Sequence, residues 1–208
     1  MNRTNNLKRT SPRFYSRNLN IPLIVLATLF ITGLVVGAIC VHTAGSGVLE
    51  KLTRMFQNYS QIRSQQSMLM NFGNSFATGA FCIILLYLSG LSAWGIVPAL
   101  LLPLFKGMGL GMICGTLYAD YGIRGFGYCV MVILPGALLS ALAVILSAKE
   151  AIRASSFIFA RFCLSREAEQ TSFRNYTVKF FILLLFIGFG AVMDMLTIQF
   201  FSGLFIIW

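Results

Sequence analysis

Apolar residues in this chain gather into long blocks separated by short polar stretches. The blocks fall at 21–41, 71–90, 91–118, 126–148 and 178–201. A helix needs about 20 apolar residues to cross a hydrocarbon core about 30 Å thick, and each block can supply them. The pattern predicts an all-α, polytopic membrane bundle of about five transmembrane helices. It also predicts one integral-membrane domain over 21–208 behind a polar tail at 1–20. Block 91–118 differs from the others. Pro98 and Pro103 each remove a backbone donor, Gly107, Gly109, Gly111 and Gly115 remove side chains, and Lys106 sits near the middle. Proline inside a helix costs a hydrogen bond and crowds the preceding turn, so the third helix is expected to be broken by Pro/Gly. An ammonium at that depth costs at least about 2.5 kcal/mol and is rarely without purpose.

Two segments between blocks carry helical periodicity of another kind. Between 45 and 70, Val48, Leu49, Leu52, Met55, Phe56, Tyr59 and Ile62 recur at three- and four-residue intervals, with polar residues on the rest of the wheel. Such a stripe suits a helix lying on a membrane surface. It also suits a docking surface for an extracytoplasmic partner, built on Leu49, Leu52, Phe56, Tyr59 and Ile62. Segment 149–177 is expected to carry the fourth helix into the cytoplasm and then lie along the membrane.

Composition supports the membrane reading. Of 208 residues 57% are hydrophobic, and the mean hydropathy is +0.80. An ordinary soluble domain is excluded. The net charge of +10 would suggest nucleic acid in a soluble protein. Here the charges fall between apolar blocks with no basic, base-stacking patch, so the expected partner is anionic lipid and not nucleic acid. The tail holds Arg3, Lys8, Arg9, Arg13 and Arg17, and the segment after the fourth block holds Lys149, Arg153, Arg161, Arg166, Arg174 and Lys179. The opposite side holds Lys51, Arg54, Arg63 and Arg124. Eleven against four places the N-terminus in the cytoplasm and loop 42–70 outside. The first block is too long for a typical signal core and no A-x-A follows, so it is read as a retained helix.

Candidate chemistry is sparse. His42 is the only histidine, and no HExxH, GxSxG or GxxxxGK[ST] occurs. The chain is not expected to be an enzyme or to hold a cofactor or metal. Cys40, Cys82, Cys114, Cys129 and Cys163 are widely spaced without CxxC. They read as small packing residues, not disulfides or metal ligands. Asp194 is a second candidate intramembrane charge and could offset Lys106. Gly33 and Gly37 form GxxxG, and Gly107, Gly111 and Gly115 a double version. Such faces let helix backbones approach closely, first within the bundle and secondarily in a homo-oligomer or partner interface.

The run Leu104-Phe105-Lys106-Gly107, with Gly111, Gly115, Gly122, Gly125 and Leu134-Pro135, resembles the centre of the stage II sporulation protein M family. TGLVVGAI at 32–39 is similar to that family's opening helix, and Gly90 closes the second block as theirs does. The Lys-Gly pair is the most specific element. The resemblance implies a structural role for Pro135 and a place in the septal and then the engulfing membrane of a sporulating bacterium. There the protein would be a scaffold for stage II sporulation proteins D and P, which remodel peptidoglycan for septal thinning and engulfment. Many broader relatives carry His and Glu soon after the proline matching Pro135. Here Gly136, Ala137, Leu138, Leu139 and Ser140 follow, so no polar role of that motif carries over. A reading from a different class is a permease or channel-like subunit in which the broken third helix and Lys106 line a polar path.

Overall fold

The computed structural model describes residues 21–43, 47, 50–55, 58, 62, 66–163 and 173–201. The long helices are α1 (Ile21–Thr43), α2 (Met68–Gly90), α3 (Ile96–Tyr128), α4 (Leu134–Cys163) and α5 (Phe173–Phe201), with a π-helical turn, Cys129–Ile133, joining α3 to α4. Among the described residues four helical stretches are long and apolar enough to cross a membrane, and one of them is Ile96–Phe159, of 64 residues. That length would span a bilayer three times over at about 1.5 Å per residue. It does not run straight. Gly122 has φ 58° and ψ −134°, outside the helical region. Cys114 and Cys129, 15 residues apart, have Cα atoms only 5.8 Å apart, where a straight helix would separate them by about 22 Å. The stretch is therefore a hairpin of two antiparallel passes, and the described residues make five passes.

Contacts along the helices fix their directions. Gly33 faces Leu104 and Gly37 faces Met108, so α1 and α3 run parallel. Ser75 meets Asp194 while Tyr87 meets Thr177, so α2 and α5 are antiparallel. Gly136 meets Asp194 and Glu150 meets Lys179, so α4 and α5 are antiparallel too. One end of the bundle, here the tip end, carries the Gly122 reversal, the end of α1 and the start of α2. The other, the tail end, carries the start of α1 and the α2–α3 turn.

The interior is built from Leu26, Phe30, Ile83, Leu86, Leu110, Val144, Tyr176, Phe180 and Ile187, with Ala99, Ala141, Ala143, Ala148 and Ala151 wherever helices approach closely. Large apolar side chains also cover the outside, among them Ile24, Val35, Phe81, Leu101, Phe181 and Leu185. A soluble protein would be penalised for that surface; hydrocarbon welcomes it.

The expected break in block 91–118 is displaced. Residues 91–95 form the turn between α2 and α3, and Pro98 lies in the first turn of α3, where its missing N–H has no intrahelical partner to lose. Pro103 lies inside α3, yet Gly122 is the only residue of that helix with non-helical dihedrals. Lys106 and the glycines after it thus sit on one continuous helix. Pro135, in the first turn of α4, follows the π turn, in which the Leu134 N–H reaches back to Cys129 O. A proline cannot donate to the carbonyl four residues earlier, and a widened turn is a known way to absorb that loss.

Candidate functional site

A close backbone seam runs between α1 and α3. A Cβ on Gly33 would meet Leu104 O, on Gly37 Met108 O, on Gly107 Phe30 O and on Gly111 Leu34 O, each well inside the 3.0 Å that real Cβ atoms respect. Gly115 continues the row, where an added Cβ would lie 3.3 Å from Ala38 Cα and Val41 Cβ. Glycines of each helix accept the carbonyl ridge of the other. Backbone contact of this kind, with Cα–H groups against carbonyl oxygens, is how membrane helices associate when lipid gives apolar side chains no reason to cluster. The five glycines singled out from their spacing come together here. Gly109, between them, faces open space.

Lys106 is half-buried next to the seam, and among the described residues it has no ion-pair partner. Asp194 is not its counter-ion. Ser75 Oγ donates to Asp194 Oδ2 at 2.5 Å, and the carboxylate lies over Gly136, where an added Cβ would come 2.6 Å from Asp194 Cβ. One turn on, Thr197 Oγ1 lies 3.0 Å from Val132 O in the π turn. Asp194 therefore joins α2, α4 and α5, whereas Lys106 belongs to the α1–α3 pair. A lone lysine one turn from mid-span can extend its ammonium along its own stem towards the interface. In sequence, nothing links Ser75 to Asp194; only the antiparallel register of α2 and α5 does.

The cysteines also depart from expectation. Cys114 and Cys129 are joined as a disulfide across the hairpin, while Cys40 and Cys82 are free. Wide spacing argued against pairing, but the reversal at Gly122 brings the two arms back into register. Their near-equal distance from Gly122 was the signal available.

At the tip end, residues 50–55 are helical, and Thr53 Oγ1 donates to Asp120 Oδ2 at 2.7 Å. This ties the polar segment after α1 to the end of α3. Glu50 and Arg54 form an exposed pair on the same helix, worth little on its own. Of the docking candidates, Leu52 is half-buried and Ile62 exposed; Leu49, Phe56 and Tyr59 lie outside the described residues. At the tail end, Lys179 Nζ lies 2.8 Å from Glu150 Oε2 across α4 and α5, with Arg153 Nη1 at 3.8 Å from Oε1. Tyr176 donates to Tyr87 O at 3.0 Å, and Ser155 Oγ lies 2.7 Å from Ser92 O and 3.2 Å from Ala93 O, satisfying the α2–α3 turn. Among the described residues no three His, Cys, Asp or Glu side chains gather as a metal would require.

No curated protein and no solved structure matches the chain. The family model described as stage II sporulation protein M matches residues 26–201, from the first helix to the last with the whole α1–α3 seam inside the match, and the chain belongs to that family.

Proposed function

We propose that the protein is a non-enzymatic membrane scaffold. It would hold a peptidoglycan-remodelling complex for septal thinning and engulfment during endospore formation, with stage II sporulation proteins D and P carrying the chemistry on the wall. Membership of the family makes it a sporulation-related membrane protein. The observation that carries the scaffold reading is the α1–α3 seam. Where a transporter would need a hinge or a wet break beside Lys106, α3 is continuous and its glycines are spent on backbone contact.

The positive charges give the orientation of this reading. Tail and tail-end segments hold eleven Lys and Arg against four at the tip end, so the tail end faces the cytoplasm. The helix at 50–55, tied to Asp120 through Thr53, then stands on the wall side. Within segment 45–70, Leu49, Leu52, Phe56, Tyr59 and Ile62 are the proposed docking residues. The basic tail end meets anionic headgroups of the septal and later the engulfing membrane.

The test replaces an endospore former's own family member with this chain. Engulfment, followed with membrane dyes, should be restored, and a tag on the chain should recover wall hydrolases only when segment 45–70 is intact. Normal membrane levels without restored engulfment would sink the proposal. So would solute flux in liposomes that Lys106→Met abolishes.

A further inference from the structure

The hairpin carries chemistry that the scaffold role leaves unused. Cys114 on α3 and Cys129 at the start of the π turn face each other with Cα atoms 5.8 Å apart, inside the window that a disulfide spans. Their level in the bundle is fixed by the seam. Gly115, next to Cys114, lies against Val41 near the end of α1. The pair is thus at the tip-end boundary of the membrane, about two turns below Gly122. The two cysteines are not equally placed. Cys129 is fully buried (0% exposed), while Cys114 is partly exposed.

We propose that Cys114 and Cys129 are a site of oxidative modification, closed by a thiol–disulfide oxidoreductase acting from the tip side, with Cys114 the entry thiol and Cys129 the resolving thiol. The proposal rests on the orientation above, because disulfides form and persist on the extracytoplasmic side and are reduced on the other. The Cys114 thiol loses its proton and its thiolate attacks one sulfur of the oxidant's disulfide. A mixed disulfide forms and the oxidant's other sulfur leaves as a thiolate. The Cys129 thiolate then attacks the Cys114 sulfur, the Cys114–Cys129 bond forms, and the oxidant departs as a dithiol. Two electrons pass to the oxidant, and the two protons lost by the cysteines end on its two sulfurs. Access sets this order, since exchange goes through whichever sulfur the incoming disulfide can reach. Closure ties α3, already stitched to α1, to the π turn that leads into α4, which packs on α5. One bond thereby couples the two halves of the bundle near the proposed docking helix.

Cells expressing the full chain would be acid-quenched, denatured and alkylated with a maleimide–polyethylene glycol, with and without prior reduction. Of the five cysteines, three should react without reduction and all five after it. Five reacting without reduction would overturn the proposal. A parallel Ile123→Cys variant, at a residue 85% exposed on the tip, reads orientation separately through an impermeant maleimide. Labelling in intact cells together with five free native thiols would overturn the redox site and leave the orientation standing. Labelling only after permeabilisation would overturn the orientation, and the proposal with it. In lipid nanodiscs with oxidised glutathione, Cys129→Ser should capture glutathione on Cys114 about tenfold or more faster than Cys114→Ser captures it on Cys129. Equal or reversed rates, by peptide mass mapping, would overturn the assigned order.

Discussion

Glycines of one helix differ in what they do. On α3, Gly111 faces Leu34 O and Leu34 Cα, while Gly109 faces nothing within 4 Å. Gly111→Ala should force α1 and α3 apart and cost roughly 1–3 kcal/mol, as overpacking does. Gly109→Ala should be neutral or stabilising by up to about 1 kcal/mol, since alanine is the better helix former. Thermal unfolding of both variants in detergent decides this; equal losses would show that the seam is not where the glycines count. The GxxxG spacing was legible in the sequence because it repeats every turn. Its partners, carbonyls of Phe30, Leu34, Leu104 and Met108, were not, because any residue has a carbonyl. The two intramembrane charges were legible as singular residues, but their pairing was misread. Proximity in composition is no substitute for register, and register gives Asp194 to Ser75. Ser75→Ala should therefore cost about 1 kcal/mol, the usual worth of one interhelical hydrogen bond in a membrane. Lys106→Met, with no ion pair to break, should cost nothing measurable in the same unfolding assay.

Helix boundaries are decided by backbone that a linear reading undervalues. Two prolines and four glycines in one apolar block argued for a break there, yet α3 runs through all of them. Pro98 falls in the first turn, where proline is welcome, and glycines in contact with another helix are held by that contact. The break falls instead at Gly122, in the polar stretch between the third and fourth apolar blocks. There φ of 58° with ψ of −134° is a conformation that a Cβ disfavours strongly. Gly122→Ala meets no steric obstacle within 4 Å, so its cost isolates the backbone term. It should destabilise the fold by roughly 1–3 kcal/mol. Gly109→Ala serves as its control, because that glycine is equally open but helical. If the two behave alike, the reversal is not set by Gly122. The turn between α2 and α3 shows the complementary device. Ser155 of α4 supplies a hydroxyl to Ser92 O and Ala93 O, 63 and 62 residues away in sequence, a partner that no local pattern announces.

For the whole molecule, direction is the property that links fold to function. The parallel register of α1 and α3 requires α2 to return between them. The antiparallel pairs α3–α4 and α4–α5 then leave α5 running the same way as α1. The start of α1 and the end of α5 must therefore lie on opposite sides of the membrane, whichever way the bundle is inserted. Insertion is decided by a different quantity, the eleven-to-four excess of Lys and Arg, because basic loops are held back on the cytoplasmic side. These two arguments can fail separately, and one experiment reads both. Reporters active on only one side of the membrane, such as alkaline phosphatase and a cytoplasmic fluorescent protein, are fused before α1 and after α5. The first fusion should report cytoplasm and the second the exterior. Both reporting one side would refute five passes and with them the hairpin at Gly122. Opposite sides in the reverse sense would keep the fold and overturn the orientation, leaving the 50–55 helix on the wrong side to meet any enzyme of the wall.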